Sequence, residues 1–313
     1  MQTFDVKKLL GTGTFGRVYL VSYNGTQLAL KKAPKWRRKP SRENALLRKC
    51  VGRQGLVQLA MGAFYTKTPL GHYMQNFVME YIPNTLTNVL RVVRKKRTQL
   101  SQGAVLEMAA QLFEALKELH SLNLVHRDVK PENILVANVG LNSLPDPKRI
   151  RLVLCDLGAA KQVGGLMMPH ICSRFYRAPE LLLGSSNYGT EVDVYSAACV
   201  VAEMALLTPL VRGYARSGDP FPHESHQLNL LLCLLGKPST EMVQRIQDPS
   251  LEHVIKALLA VTDDMEALRV ADMLPKGSPY TRILDTIQPC LQWDGLSRPQ
   301  AGEVAGTLRA LGR

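Results

Sequence analysis

The chain has 313 residues, 46% of them hydrophobic, and a formal net charge of +13: an ordinary globular composition with a sizeable core, room for one large domain or two compact ones, and a charge that favours acidic partners. Met1 to Lys8 mixes polar and apolar residues, unlike a signal peptide, and the longest apolar run, Val194 to Val211, is interrupted by Glu203 and Pro209 and so reads as a buried core helix with no membrane span. Six cysteines (Cys50, Cys155, Cys172, Cys199, Cys233, Cys290) stand singly, without zinc or redox spacing, which points to a reducing, intracellular setting, cytoplasmic and open to nuclear entry.

In chain order, Phe4 to Leu10, Val18 to Tyr23 and Gln27 to Lys31 are short and rich in aromatic and aliphatic residues, and are expected as strands. Asn24-Gly25 between the second and third is a hairpin signal. Between the first two lies Gly11-Thr12-Gly13-Thr14-Phe15-Gly16, with Val18 close behind. Glycines at alternating positions let a backbone approach phosphates closely and offer unhindered N–H donors. The Rossmann dinucleotide fingerprint shares this pattern but needs a helix straight after the glycines, whereas Val18-Tyr19-Leu20-Val21 is strand-like. Leu28-Ala29-Leu30-Lys31 then matches V-A-I-K, and alternation puts Ala29 and Lys31 on one face. The basic runs Lys31–Lys39 and Arg91–Arg97 read either as solvated faces or as sites for a specific acidic partner. Trp36 is their lone aromatic, which argues against a nucleic-acid platform.

A helix is expected from its cap Ser41 to about Cys50, with Leu46, Leu47, Cys50 and Val51 as the apolar stripe. Glu43 falls on that stripe. A carboxylate turned toward a core is costly unless paired, and Lys31 is the expected partner. More strand-like sequence runs through Leu56–Phe64 and Tyr73–Glu80. Beyond Pro83 the character is helical: Val105, Met108, Leu112, Leu116 and Leu119 repeat at three and four residues after Ser101, Val192–Leu207 is almost wholly apolar, and further helical patterns fill Leu228–Arg313. The expected architecture is α+β and bilobal, with a small β-rich N-lobe over about 1–80, a hinge at 81–84 and a larger helical C-lobe over 85–313.

The chemistry concentrates in Leu124-Val125-His126-Arg127-Asp128-Val129-Lys130-Pro131-Glu132-Asn133, an H-R-D-x-K-x-x-N loop anchored by apolar residues at both ends. In phosphoryl transfer, Asp128 would accept the hydroxyl proton, Lys130 would neutralise charge on the γ-phosphate, and Asn133 would give an amide oxygen to magnesium. Ile150–Cys155 reads as a strand delivering Asp156-Leu157-Gly158, a D-F-G pattern with leucine in the middle. Asp156 would chelate the phosphate-bridging magnesium, and Leu157 would keep its packing under the Glu43 helix. The stretch between these loops is long, and Gly140–Arg149 is expected as an exposed hairpin. Ala178-Pro179-Glu180 closes the segment.

Together these motifs, from Leu10 to Arg298, resemble a eukaryotic-type protein kinase, which implies a single kinase domain over 1–313 with ATP and Mg2+ as cofactors. Lys130 fits serine/threonine specificity. Ile171 to Glu180, Leu154 to Gln162 and Glu80-Tyr81-Ile82-Pro83-Asn84 are similar to glycogen synthase kinase-3, and Arg177 matches the arginine typical of the wider CMGC group. The resemblance implies an ATP site of Leu10, Gly11, Thr12, Gly13, Thr14, Phe15, Gly16, Val18, Ala29, Lys31 and Met79, with backbone groups of Glu80 and Ile82 on the base. It implies catalysis by Lys31, Glu43, Asp128 and Lys130, metal ligation by Asn133 and Asp156, a buried Glu180–Arg298 pair, and Asp193 as a brace for the catalytic loop. That family reads a phosphate already present on its substrate, four residues C-terminal to the target, through three basic residues. Arg42, Arg127 and Lys161 match them, so primed phosphoproteins are the expected substrates, with scaffold proteins as further partners.

The match is incomplete. His170 stands at the family's regulatory tyrosine, and Ala159 to Cys172 contains no Ser, Thr or Tyr, so an external anion or permanent packing must order this stretch. With the first strand so near the start, no pseudosubstrate serine is expected. Cys155 is expected as a small buried apolar residue, with reach by electrophilic inhibitors beside Asp156 as the alternative. Two other readings stay open. A proline-directed, cyclin-dependent-like CMGC relative would ignore priming phosphates, and Arg42 and Lys161 argue against it. A pseudokinase scaffold generally lacks one of the residues that Lys31, Asp128 and Asp156 supply here.

Overall fold

Period-2 alternation and tight turns build the N-terminal lobe. In the computed structural model, which describes residues 4–13, 15–35, 41–138, 146–164, 167–168, 171–212, 222–244, 256, 260 and 266–312, strands β1 (Asp5–Gly13), β2 (Gly16–Tyr23), β3 (Thr26–Lys35), β4 (Phe64–Lys67) and β5 (Tyr73–Glu80) form an antiparallel sheet in the order β1-β2-β3-β5-β4. The glycine-rich stretch extends β1, with Gly13 paired to Gly16 at the tip of the first hairpin. Helix α1 (Arg42–Lys49) starts where Ser41 Oγ accepts from the Asn44 amide at 3.2 Å. Its Leu46 and Leu47, and the capping Cys50, are buried. Val51 is not part of that stripe: it lies past the cap and is 57% exposed.

Leu56–Phe64 is also corrected. Only Phe64 belongs to a strand, while Leu56 and Leu59 make isolated bridges to Leu154 and Met79. The backbone of this stretch bonds in two directions, from the Val57 amide to Leu154 O and from the Ala60 amide to Val78 O. Gly52 and Gly55 before it have φ of +79° and +71°. A Cβ at Gly55 would sit 2.8 Å from Ala115 Cβ, so only glycine lets the chain pass this close to the next lobe.

The C-terminal lobe begins with β6 (Asn84–Thr85) and α2 (Leu86–Lys95), followed by α3 (Gln102–His120), capped by Ser101. Short strands β7 (Leu124–Val125), β8 (Ile134–Ala137), β9 (Arg151–Leu154) and β10 (Lys161–Gln162) follow, with β6-β8-β9 in one small sheet and β7 paired to β10 in another. Most of the proposed hairpin lies outside the described residues; Pro147–Arg149 form a 3-10 turn, and β8 and β9 on either side are antiparallel.

Helix α4 (Pro179–Leu182) leads to α5 (Glu191–Leu206), in which every residue from Val192 to Ala205 is buried. This is the apolar run that composition placed in the core. Among the described residues, helices α6 (Pro222–Leu235), α7 (Thr240–Gln244), α8 (Thr281–Ile287) and α9 (Ala301–Leu311) follow. Within the described residues 266–312, helix is less continuous than expected, because Pro275, Pro279, Pro289 and Pro299 cannot sit in a helix interior. Among the described residues no helix is long and apolar enough to cross a membrane.

Candidate active site

The β3–β5 ladder sets the upper wall of the cleft, pairing Ala29 with Met79 and Lys31 with Phe77. Ala29, Met79 and Ile82 are buried, and Val18 packs against the same core. Lys31, 5% exposed, donates to Glu43 Oε1 at 2.5 Å and to Asp156 Oδ1 at 2.7 Å. Burial works against its ammonium, but the two carboxylates outweigh it and hold the pKa above the ordinary lysine value. Burial likewise pushes the Glu43 carboxyl up, opposed by Lys31, whereas at Asp156 the pull of Lys31 overcomes burial and lowers the carboxyl. The sheet, α1 and the Asp-Leu-Gly turn therefore meet on one cation.

Leu10, Gly11, Thr12, Gly13 and Phe15 line the β1–β2 hairpin above this point, while Thr14 lies outside the described residues. Gly16 has φ of +136°, and a Cβ there would sit 2.3 Å from Lys32 O, so the turn accepts only glycine. The Phe15 ring lies 5.8 Å from Lys31 Nζ and packs on Gly158, where a Cβ would come within 2.6 Å of it. At the end of β5, the Glu80 amide donates to Gln58 O at 3.1 Å, which narrows this residue's backbone contribution to its carbonyl. Its carboxylate takes Arg151 Nη2 at 2.6 Å.

Below the cleft, Asp193 of α5 accepts from the His126 amide at 2.7 Å and the Arg127 amide at 2.8 Å, and sits 3.0 Å from His120 Nε2. This buried carboxylate fixes the loop that turns through Arg127, whose φ is +66°. Asp128 is held on both oxygens. Oδ1 accepts from the Ser173 amide at 3.2 Å and hydroxyl at 3.0 Å, and Oδ2 accepts from Asn133 Nδ2 at 2.9 Å and lies 2.7 Å from Lys130 Nζ. Lys130 also donates to Ser173 Oγ at 2.8 Å. His126 Nε2 meets Cys155 O at 2.9 Å and so links the two loops.

Asn133 Nδ2 also donates to Asp128 O at 2.8 Å, so both of its bonds to Asp128 use the amide nitrogen. Asp156, with φ of +65°, commits Oδ1 to Lys31 and the Gly158 amide. Asn133 Oδ1 and Asp156 Oδ2 make no hydrogen bond with any described residue, and hard oxygens of this kind suit a magnesium ion. Leu157 is buried in the same core as Leu46 and Leu47. Cys155 is half-buried, and burial, then Asp156, pushes its thiol up to about 12, far from a reactive thiolate.

Glu180 and Arg298 form a two-pronged buried pair with both contacts at 2.7 Å. Arg42 is exposed on the first turn of α1. Lys161 pairs across β10–β7 with Val125, two residues before Arg127. Arg127 is only 6% exposed, and its Nε and Nη1 already donate to Ala159 O and Tyr188 Oη. His170 lies outside the described residues.

Several contributors are not legible in the sequence. Ser173 is one small residue in a loop, yet it touches both Asp128 and Lys130. Arg94, counted in a basic run, donates to Leu207 O and to Glu203, at 2.5 and 2.6 Å, while Tyr176 holds the other Glu203 oxygen at 2.6 Å. That arginine is exposed, yet it also fastens α2 to α5. Beside Lys130 and Ser173 opens a cavity of about 460 Å3, also lined by Thr87, Glu132, Arg174 and Phe175, large enough for a few side chains of an extended peptide.

The family model described as "Protein kinase domain" matches residues 4–306. Among curated proteins, the chain is 33% identical over 296 residues to the serine/threonine-protein kinase RIM11/MSD1 of Saccharomyces cerevisiae, covering 90% of this chain and 74% of that protein. It is 35% identical over 254 residues to the probable serine/threonine-protein kinase glkA of Dictyostelium discoideum, covering 80% and 48% respectively. It is 34% identical over 252 residues to glycogen synthase kinase 1 of Pyricularia oryzae, covering 79% and 59%. The chain thus spans between about half and three quarters of the length of these relatives.

Proposed function

The chain belongs to the protein kinase family, and from that premise we propose that it transfers the γ-phosphate of ATP to serine or threonine hydroxyls of proteins, favouring substrates that already carry a phosphate downstream of the target. The observation that carries the reading is the double engagement of Lys31 with Glu43 and Asp156, together with an Asp128 carboxylate fixed by Asn133, Lys130 and Ser173. In this arrangement the backbone of residues 11–16 covers the phosphates, and Lys31, kept protonated by its two carboxylates, aligns the α- and β-phosphates. The Asp128 carboxylate orients the incoming hydroxyl and accepts its proton, while Lys130 offsets charge on the transferred group. Asn133 and Asp156 would hold magnesium, which supplies charge neutralisation between the phosphates. Ala29, Met79, Ile82 and the Glu80 carbonyl would seat the base.

The priming preference is supported by Arg42, Arg127 and Lys161 at the three positions that the glycogen synthase kinase-3 resemblance requires. One observation favours an unprimed, proline-directed alternative: two Arg127 donors are already bonded within the chain. Peptides with and without a phosphate four residues after the target distinguish the two. Priming should raise kcat/KM by more than tenfold, and replacing Arg42, Arg127 or Lys161 by alanine should erase that ratio without abolishing transfer. Equal rates on both peptides would establish the alternative. The six free cysteines suit a reducing compartment, which supports a cytoplasmic site of action with nuclear entry possible to test by imaging, and protein scaffolds fit the same reading.

A further inference from the structure

Ordering the segment that follows Asp156 is a separate problem from the chemistry. Between Ala159 and Cys172 the sequence offers no Ser, Thr or Tyr, so no hydroxyl of that stretch can carry a phosphate. The described parts of the segment are nevertheless fastened to the catalytic loop. Ala159 O accepts from Arg127 Nε at 2.8 Å, and the Cys172 thiol donates to Arg127 O at 2.8 Å. Arg177 donates from Nε to Ile171 O at 2.9 Å and from Nη2 to Cys172 O at 3.1 Å. Arg127 and Cys172 have φ of +66° and +64°, left-handed conformations that residues with side chains keep only where their surroundings hold them.

One further fastening comes from outside the segment. Tyr188, in the loop between α4 and α5, is 6% exposed. Its hydroxyl accepts from Arg127 Nη1 at 3.2 Å and donates to Met168 O at 2.6 Å. A phenol has one proton to give and lone pairs to receive, so a single oxygen meets both partners. Burial, opposed by Arg127, raises the Tyr188 phenol above its usual value, so it keeps the proton it donates at neutral pH. Met168 is 60% exposed, and its backbone carbonyl is what Tyr188 holds.

We propose that Tyr188 is a positioning residue whose hydroxyl ties the Met168 carbonyl to the Arg127 guanidinium, and so holds the activation segment against the catalytic loop without an added phosphate. The proposal rests on the kinase reading above. The tether reaches Asp128 by two routes. Arg127 adjoins it in the chain, and Cys172, bonded to Arg127 O, is followed by Ser173, which bonds Asp128 Oδ1. Without the hydroxyl, a backbone carbonyl and a guanidinium N–H lose their partners together.

The test compares Tyr188→Phe with Tyr280→Phe, a matched deletion far from the site: Tyr280 is 2% exposed and its hydroxyl donates to Leu100 O. Tyr188→Phe should lower kcat on a peptide by about tenfold at an unchanged KM for ATP. It should also speed tryptic cleavage after Lys161, read by mass spectrometry. Tyr280→Phe should lose thermal stability yet leave turnover and that cleavage unchanged. In an Arg127→Ala background, adding Tyr188→Phe should have no further effect. Unchanged turnover and cleavage in Tyr188→Phe, or equal effects from both tyrosine variants, would overturn the tether. If wild type itself transfers nothing, the kinase reading fails, and the cleavage comparison still decides the tether. If Tyr188→Phe does not accumulate folded, faster cleavage of Arg127→Ala supports the tether and unchanged cleavage overturns it.

Discussion

The two walls around Asp128 are held in different ways. The upper wall is a short ionic relay: buried Lys31 meets buried Glu43 twelve residues on and the partly exposed Asp156 across the cleft. The other wall, from Ala159 to Arg177, is held by backbone carbonyls, a thiol and hydroxyls reaching Arg127 and Asp128 from several elements. Charge that must be present for chemistry is thus concentrated on few residues, whereas order is spread over many contacts that each have a neutral group on at least one side. Substitutions should therefore separate the walls. In the ionic relay a single change should be drastic, and in the segment the effects should be graded.

The largest effect outside the catalytic aspartate should come from Lys31→Met. It leaves Glu43 buried without its cation, and breaking a buried pair this way costs about 3–5 kcal/mol. Denaturant unfolding should show that loss together with loss of ATP binding, and a fall below about 1 kcal/mol would mean the relay is not the rigid wall described. Asp193→Ala comes next. It strands the His126 and Arg127 amides, at about 1–3 kcal/mol each, and should lower kcat more than ATP affinity.

The relay also predicts a pH dependence. Burial would raise the Asp156 carboxyl, but Lys31 outweighs it and lowers the folded value below 3.8. A carboxyl lowered on folding contributes its full stability above its unfolded pKa, and the contribution is lost as pH falls through the folded value. Stability should therefore drop steeply below pH 3.8, and Asp156→Asn should flatten that acid limb in unfolding titrations. The smallest effect should be Arg151→Ala. Its pair with Glu80 is half open to water and contributes less than about 1 kcal/mol, so thermal unfolding should barely move.

The same contrast governs what could be read from sequence. The relay was legible because each member sits in a linear pattern: Lys31 on an alternating strand, Glu43 on an otherwise apolar helix stripe, Asp156 after a strand. Ser41 and Ser101 announced their helices as caps. Leu56–Phe64 misled because its residues are strand-like while their hydrogen bonds are divided between Leu154 and Val78, partners that local pattern cannot assign. Arg94 looked like one charge among many because Glu203 lies over a hundred residues away. Ser173 and Tyr188 carry no periodicity or charge, and their roles arise only from which carbonyl, guanidinium or carboxylate the fold places beside them.

The central claim, that this cleft moves a phosphoryl group with Asp128 as the proton acceptor, is tested most directly by γ-labelled ATP, magnesium and a serine peptide with wild type and Asp128→Asn. Wild type should label the peptide, and the variant should bind ATP equally well yet transfer label more slowly by about 10²–10⁴-fold. Equal labelling by both proteins, or none by wild type while it binds nucleotide, would contradict the account.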